Sequence, residues 1–323
     1  MPERQADCPC CGGATEQADQ FAVVRGWVYV RCRSCKLVYL DPRPTPVELE
    51  AFYNDLYHHP RECSRNFRKD EERVLALLEG MLGRPGRLLE VGCSYGDFLL
   101  AAKRRGWIVT GLEVNRDTSR FARERLGLDV RQGTIGTVKG SAGRRYQALA
   151  AWHLLEHEPD PGSFIREAWC LLDEQGLLAI RVPNMSSSIA SLAGPHWQWL
   201  SPPEHVCMFS RDNLTGLLLR YGFDVVHRET MRGHARGLCF EAMRARAKQI
   251  FMQLTRPAES GFAYAPRMIY EDRPWYRMVE RTVDAFSNPI EFLISGWMRR
   301  EDREAELFVI GRKRSCLSRG DAA

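Results

Sequence analysis

Short apolar runs alternate with amphipathic stretches from Arg87 onward. The runs have the length of buried strands and lie at Arg87–Gly92, Ile108–Val114, Val130–Gln132, Tyr146–Ala151 and Leu177–Val182. Helical periodicity occurs between them at Asp97–Arg105, Asp117–Leu126 and Ser163–Leu172, and later at Asp212–Tyr221. Two further apolar runs, Phe223–Arg228 and Glu306–Gly311, complete the pattern. Strands that alternate with helices build a parallel sheet covered on both faces, so we expect an α/β fold.

The same pattern divides the chain into segments. A proline-rich break at 41–46 separates a cysteine-bearing start from helical sequence, and helix-like segments at 235–300 interrupt the strand–helix rhythm. The insertion is a substrate lid, a homodimer surface or an interfacial patch, unless its helices simply pack on the core. We predict a module at 1–40, a helical linker at 41–84, a core at 85–234, a helical insertion at 235–300, and the last strand with its tail at 301–323.

Composition adds limits to this picture. The 323 residues are 44% hydrophobic and 27% charged, with a net charge of +5 and no basic block, so a nucleic-acid-binding arm is not expected. The first residues lack the apolar segment of a secretory signal, and no apolar run reaches the roughly 18 residues of a membrane span. We therefore expect a cytoplasmic protein. Cytosolic thiols stay reduced, so the eleven cysteines do not predict a disulfide framework.

Four of those cysteines form two close pairs. Cys8 and Cys11 are separated by two residues, as are Cys32 and Cys35, and twenty residues lie between the pairs. Two such knuckles supply the four thiolates of a tetrahedral Zn²⁺ site, and a site filled by four cysteines is structural. Zinc would also stabilise a segment too short to build its own core. The alternatives are four buried cysteines or a redox pair.

A strand, a glycine-containing turn and a helix start follow one another at Leu88–Phe98. Gly92 and Gly96 would let a ligand approach the backbone closely, and Glu113 ends the next apolar run, where a carboxylate can chelate ribose hydroxyls. The turn lacks the full glycine spacing that a dinucleotide prefers. These residues therefore predict an adenosyl ligand, with a dehydrogenase-type nucleotide domain as the alternative.

The chain here resembles the class I S-adenosylmethionine-dependent methyltransferases. The resemblance rests on Leu88–Phe98, on Glu113, on the run Leu154-Leu-Glu-His-Glu-Pro-Asp-Pro161, and on the strands Gly176–Asn184 and Glu306–Lys313. It implies a Rossmann-like, seven-stranded sheet with an antiparallel last strand, and S-adenosylmethionine as cofactor. It also implies cofactor-site residues: Gly92, Cys93, Ser94 and Gly96 for the methionine part, Glu113 for the ribose, Val114, Thr134 and Ile135 for the adenine, Trp152 and His153 closing over the ligand, and Glu90 orienting the turn or reaching the amino group.

A Glu-His pair lies in the long loop after the fifth strand. Together with the cysteine pairs, this loop is similar to that of sugar C-methyltransferases and related natural-product enzymes, which implies His205 as general base and Glu204 as its partner. The short C-terminal part argues against a sugar-nucleotide substrate. Alternatively, His205 only stabilises the loop and alignment alone drives transfer. His157 and Tyr57 are weaker catalytic candidates. A histidine in the position of His157 is more often a structural hydrogen-bonding residue, and Tyr57 is equally well explained by packing against the core.

Three functions remain open on the sequence. The leading hypothesis is a methyltransferase for a small biosynthetic acceptor, methylated on O, N or C. The second is an RNA methyltransferase that holds RNA with its zinc module, but basic residues exceed acidic ones by only one in residues 1–40, which argues against it. The third is a non-catalytic scaffold that binds the cofactor.

Overall fold

The computed structural model describes residues 7–14, 16, 18–45, 47–49, 52, 68–138, 145–231 and 303–315. The predicted insertion at 235–300 and the candidate Tyr57 lie outside these residues. In the described part, no helix combines the length and the hydropathy needed to cross a lipid bilayer.

Eleven strands and six α-helices are described. The strands are β1 (Ala18–Val24), β2 (Trp27–Cys32), β3 (Val38–Leu40), β4 (Arg87–Val91), β5 (Ile108–Glu113), β6 (Val130–Gln132), β7 (Tyr146–Trp152), β8 (Leu172–Pro183), β9 (Cys207–Met208), β10 (Phe223–Met231) and β11 (Glu306–Lys313). The helices are α1 (Arg68–Leu82), α2 (Asp97–Arg104), α3 (Arg116–Leu126), α4 (Pro161–Leu171), α5 (Ser188–Ala193) and α6 (Arg211–Arg220).

Seven strands form one sheet in the order β10–β11–β8–β7–β4–β5–β6. The pairs β4–β5, β5–β6, β4–β7 and β7–β8 are parallel, whereas β11 runs antiparallel to both β8 and β10. The predicted α/β fold, a seven-stranded sheet with an antiparallel last strand, is confirmed.

Helices cover both faces of this sheet. One buried cluster includes Leu75 on α1, Leu99 on α2 and Ala122 on α3. The other includes Ile165 on α4 and Leu217 on α6. Burial from both sides explains why the central strands are continuous apolar runs and do not alternate with polar residues. Because parallel strands end at the same edge, β4, β5 and β7 present their carboxyl ends together, which is where such sheets bind ligands.

A smaller sheet joins the start of the chain to the long loop after β8. Its order is β1–β2–β3–β9, and Val38 and Tyr39 of β3 pair with Met208 and Cys207 of β9. The N-terminal strands and the loop that carries His205 therefore share one sheet, and their buried side chains belong to one cluster. The segment boundaries given above stay predictions.

Candidate active site

The turn after β4 has a backbone that favours glycine. Gly92 has φ +72° and Gly96 has φ +82°, both in the left-handed region. A Cβ at Gly96 would lie 2.7 Å from Cδ1 of Leu128, so this position has no room for a side chain. A Cβ at Gly92 would lie 3.1 Å from Cδ1 of Leu154, in the segment after β7. Because Gly92 and Gly96 have no side chains, a ligand can approach the backbone of this turn closely.

Glu113 binds this turn to the end of β5. Its Oε2 accepts from the Ser94 backbone N–H at 2.7 Å and its Oε1 from the Asn115 N–H at 2.8 Å. Burial raises the pKa of this carboxyl group, while the backbone donors act in the opposite direction. Each carboxylate oxygen has a second lone pair that can accept from a ligand hydroxyl. The turn and the carboxylate together fit the adenosyl group for which they were predicted.

The other predicted cofactor residues differ in how they face the site. Val114 is 45% exposed, and Thr134 is exposed after β6, whereas Ile135 is buried. The Cys93 thiol lies in the core against Gly111, where it would be 2.7 Å from an added Cβ, so Cys93 can contribute only backbone to a ligand. Glu90 is buried and its Oε2 has no hydrogen-bond partner. Burial raises the pKa of Glu90 well above its usual range.

Trp152 and His153 lie at the carboxyl end of β7. Trp152 packs edge-on against Phe98 of α2, with ring centroids 5.0 Å apart. His153 has φ +48°, and its Nδ1 lies 3.2 Å from Oε1 of Glu156, while its Nε2 is 3.5 Å from Glu306. Burial opposes protonation of His153, but the two carboxylates raise its pKa to about 9. The predicted closure of Trp152 and His153 over the cofactor is not tested by these contacts and stays a prediction.

A stack of aromatic rings connects this strand end to the long loop. The Trp199 ring lies between the rings of His153 and His205, with centroids 5.5 Å from each and nearly parallel planes. His157 contacts His205 edge-on at a centroid distance of 4.7 Å. The structure therefore brings together His153, His157 and His205, although the last comes from a different segment.

The hydrogen bonding of His205 defines the tautomer of its neutral ring. Its Nδ1 lies 2.7 Å from the Trp199 carbonyl oxygen. A carbonyl can only accept, so Nδ1 carries the proton and the neutral ring has its lone pair on Nε2. His205 is 5% exposed, and Tyr29 Oη donates to its backbone carbonyl at 2.7 Å.

The predicted role of Glu204 as partner of the base stays a prediction. Oε1 of Glu204 accepts from the Ser201 hydroxyl at 2.7 Å, and the His205 ring is held by the Trp199 carbonyl. The His205 N–H donates to the Ser201 carbonyl at 3.0 Å, so Ser201, Glu204 and His205 share one tight turn.

Three residues contribute to this site without having been singled out in the sequence. Glu156 is fully buried, with Oε1 against His153 and Oε2 without a hydrogen-bond partner. Trp199 stacks between the two histidines, and Tyr29 holds the His205 carbonyl. Glu156 could have been found from its spacing of three residues after His153. The other two have no local signal, because their contacts cross between segments.

The four paired cysteines do come together. Sγ atoms of Cys8 and Cys35 are 3.5 Å apart, as are those of Cys11 and Cys32, and all four lie within 4.8 Å of one another. Tetrahedral zinc with bonds of about 2.3 Å needs sulfurs about 3.8 Å apart. The Gly13 N–H also points to Cys11 Sγ, at 3.4 Å. The donor set fits a structural Zn²⁺. Cys10 is not one of the four, but its thiol lies beside that of Cys35 and also contacts the Asn213 carbonyl on α6 at 3.5 Å.

Comparison with known proteins agrees with this geometry. The sequence profile of a family described as "Methyltransferase domain" matches residues 59–228, more than half of the chain. The ubiquinone biosynthesis O-methyltransferase of Vibrio campbellii is 26% identical over 162 residues, which cover 44% of this chain and 68% of that protein. The protein of the same name from Alkalilimnicola ehrlichii is 35% identical over 97 residues, which cover 28% of this chain and 38% of that protein.

Solved structures similar to this chain include two methyltransferases. A Burkholderia thailandensis 1,6-didemethyltoxoflavin-N1-methyltransferase with bound S-adenosylhomocysteine is 15% identical, with a TM-score of 0.48 and coverage of 92% of this chain and 100% of that one. An S-adenosylmethionine-dependent methyltransferase from Archaeoglobus fulgidus is 18% identical, with a TM-score of 0.46 and coverage of 77% and 96%. By its fold, its glycine turn with Glu113 and the family match, the chain belongs to the class I S-adenosylmethionine-dependent methyltransferases.

Proposed function

We propose that this methyltransferase acts on a small biosynthetic acceptor and that its zinc module is structural. The two ubiquinone biosynthesis O-methyltransferases, whose names indicate a small acceptor methylated on oxygen, support this substrate class. The cluster of His153, Glu156, His157 and His205, all buried or half-buried, supports it as well. A few convergent polar side chains can orient a small molecule, whereas RNA is bound by an exposed basic surface.

The cofactor would be held by the turn at 92–96 and by Glu113. The backbone of the turn would lie against the methionine part, and the carboxylate would accept the ribose hydroxyls. When bound, S-adenosylmethionine supplies an electrophilic methyl group, whose carbon is attacked by the acceptor while the C–S electron pair returns to sulfur. The main task of the protein is to align the two reactants, since alignment removes most of the entropic barrier.

The position of His205 is the observation that carries the acceptor side of the proposal. The Trp199 carbonyl fixes the proton on Nδ1, which leaves the Nε2 lone pair to receive a proton from the acceptor. Stacking on Trp199 and the bond from Tyr29 hold the ring and its backbone in place. A positioned base of this kind contributes about 10²–10⁴-fold to rate.

The experiment uses the purified full chain, loaded with zinc, and S-adenosylmethionine labelled in its methyl group. Label should appear in phenolic or other hydroxyl-bearing small molecules from a fractionated metabolite extract, and not in total RNA offered at the same concentration. Label in RNA alone would overturn the small-molecule assignment. Binding of the cofactor with no labelled product in either pool would favour a scaffold.

His205→Asn tests the base once an acceptor is known. The asparagine amide can still donate to the Trp199 carbonyl but has no lone pair at the Nε2 position. Turnover should fall by about 10²–10⁴-fold while the affinity for S-adenosylhomocysteine is unchanged. Asp212→Asn, at an exposed position on α6, is the matched control and should keep full turnover. Turnover that survives in His205→Asn would mean that alignment alone suffices.

A further inference from the structure

We infer that Glu156, His157 and His205 bind one divalent transition-metal ion beside the cofactor turn. One ligand atom from each of the three residues lies within 4.8 Å of the other two. Glu156 and His205 are buried, and His157 is half-buried. This cluster is separate from the four cysteines and differs from them in chemistry.

Two imidazoles and one carboxylate are a recognised donor set for divalent metals. Such a triad binds one face of the ion and leaves other coordination positions open to substrate or water. The four-cysteine site, in contrast, has all its positions filled by protein. An open site can contribute to the reaction, whereas a filled one can only stabilise the fold.

The groups around the triad hold its ligands in the orientation that a metal requires. Nδ1–H of His205 is directed to the Trp199 carbonyl at 2.7 Å, which leaves Nε2 free to coordinate. Metal-binding histidines usually donate their second ring nitrogen in this way. Oε1 of Glu156 is held by His153, and Oε2 is buried without a hydrogen-bond partner. A fully buried, unpaired carboxylate oxygen is costly unless a cation or a donor accompanies it.

The triad lies where an acceptor would meet the cofactor. Leu154, two residues before Glu156, contacts the turn at Gly92. The Val206 N–H donates to the Glu156 carbonyl at 2.7 Å, which joins the two segments that supply the ligands. Because the triad leaves coordination positions open, the metal would bind an acceptor that offers a hydroxyl and a neighbouring oxygen, such as a catechol or a hydroxy-ketone.

This assignment of the acceptor rests on the proposed function, but binding of the metal does not. With the ion present, the Nε2 lone pair of His205 is a ligand and does not take the proton directly. Coordination lowers the pKa of the acceptor hydroxyl, its proton leaves to solvent, and the oxygen lone pair remains for methyl transfer. The balance is one methyl ether, one demethylated cofactor and one released proton.

Mn²⁺ tests the site, because thiolates prefer softer metals and the zinc-filled cysteines will not take it up. The full chain is loaded with one equivalent of zinc, which the four thiolates take up first, and is then titrated with Mn²⁺ while free Mn²⁺ is followed by electron paramagnetic resonance. We expect one bound ion per chain. Glu156→Gln should weaken binding by at least about tenfold, whereas Glu204→Gln, the same change at a nearby carboxylate, should leave it unaltered.

Zinc content and binding of S-adenosylhomocysteine show whether each variant is folded. If Glu156→Gln fails that check, His205→Asn replaces it, with the same expected loss of Mn²⁺ binding. No stoichiometric Mn²⁺ binding by folded wild-type chain, or equal binding by Glu156→Gln and Glu204→Gln, would overturn the inference. Methyl transfer that is unchanged when Mn²⁺ is withheld would overturn its catalytic part. Failure of the proposed function is distinguished by the labelling experiment, in which the methyl label would then appear in RNA.

Discussion

Tyr29 donates a hydrogen bond from its hydroxyl to the backbone carbonyl of His205, at 2.7 Å. The two residues are 176 positions apart, and Tyr29 is completely buried in the second strand of the cysteine-bearing module. Arg43 makes a similar contact, from Nη1 to the Pro159 carbonyl at 2.9 Å, just after His157. The N-terminal segment therefore supports both segments from which the catalytic candidates come.

Tyr29→Phe should lower turnover and leave cofactor affinity and zinc content unchanged. The substitution leaves the buried His205 carbonyl without its donor, at a cost of about 1–3 kcal/mol, and relaxes the backbone that positions the imidazole. Turnover, calorimetric affinity for S-adenosylhomocysteine and metal content should be measured together. Tyr221→Phe is a matched control, since the Tyr221 ring, at the end of α6, packs against Arg166 and Gly162 of α4. Equal turnover in the two variants would contradict a positioning role for Tyr29.

Glu113→Gln should weaken cofactor binding by about 10–100-fold, because a hydrogen bond to a charged group contributes about 1.5–3 kcal/mol. The amide also places a donor next to one of the backbone N–H groups of Ser94 and Asn115 that now face the carboxylate. Isothermal calorimetry with S-adenosylhomocysteine measures the change. Asp117→Asn, an exposed carboxylate on the following helix, is the control and should bind normally. Zinc content should not change; its loss in Glu113→Gln would show that the two sites are coupled.

Comparison of Gly96→Ala with Gly127→Ala separates backbone strain from steric overlap as causes of lost stability. Both glycines have positive φ, so alanine is strained at each by about 1 kcal/mol. A Cβ at Gly96 also meets Leu128 at 2.7 Å, whereas a Cβ at Gly127 meets nothing within 4 Å. Gly96→Ala should therefore lose more thermal stability and also lose cofactor affinity. Thermal unfolding with and without S-adenosylhomocysteine checks this, and an equal loss in both variants would show that Leu128 simply moves aside.

Removal of zinc should affect turnover as well as stability. Cys35→Ser takes one ligand from the cluster that closes the turns at the start of the module, and β3 of that module pairs with β9 next to His205. We expect zinc loss, a lower unfolding temperature and reduced turnover. Cys170→Ser, at an exposed cysteine on α4, is the control. Full turnover in folded, zinc-free Cys35→Ser would show that the metal has no influence on the active site.

The large sheet and the cofactor turn could be predicted because their signals are local. Each buried strand is a continuous apolar run, and the parallel order brings Glu113 to the turn at Gly92 once the strands are placed side by side. The antiparallel direction of β11 was predicted from the family resemblance, because an apolar run alone does not show in which direction a strand runs.

The acceptor side could be predicted only in part. His205 was found from the resemblance, but its partner is the carbonyl of Trp199, and no side-chain pattern indicates which backbone group a loop will present. β9 has two residues, too few for any periodicity, and so its pairing with β3 is invisible in the sequence. Glu156 is adjacent to His157, yet its ligand role depends on His205, which comes from a separate segment.

The pairing of β3 with β9 has a consequence for any attempt to isolate the catalytic part. A chain shortened to begin after Leu40 would uncover Cys207, Met208 and Phe209, all of which are fully buried in the intact protein. It would also leave the β9 backbone as an open strand edge, a surface on which copies of a protein tend to aggregate. The cysteine-bearing start of the chain therefore covers part of the core, and the catalytic part is not expected to fold properly without it.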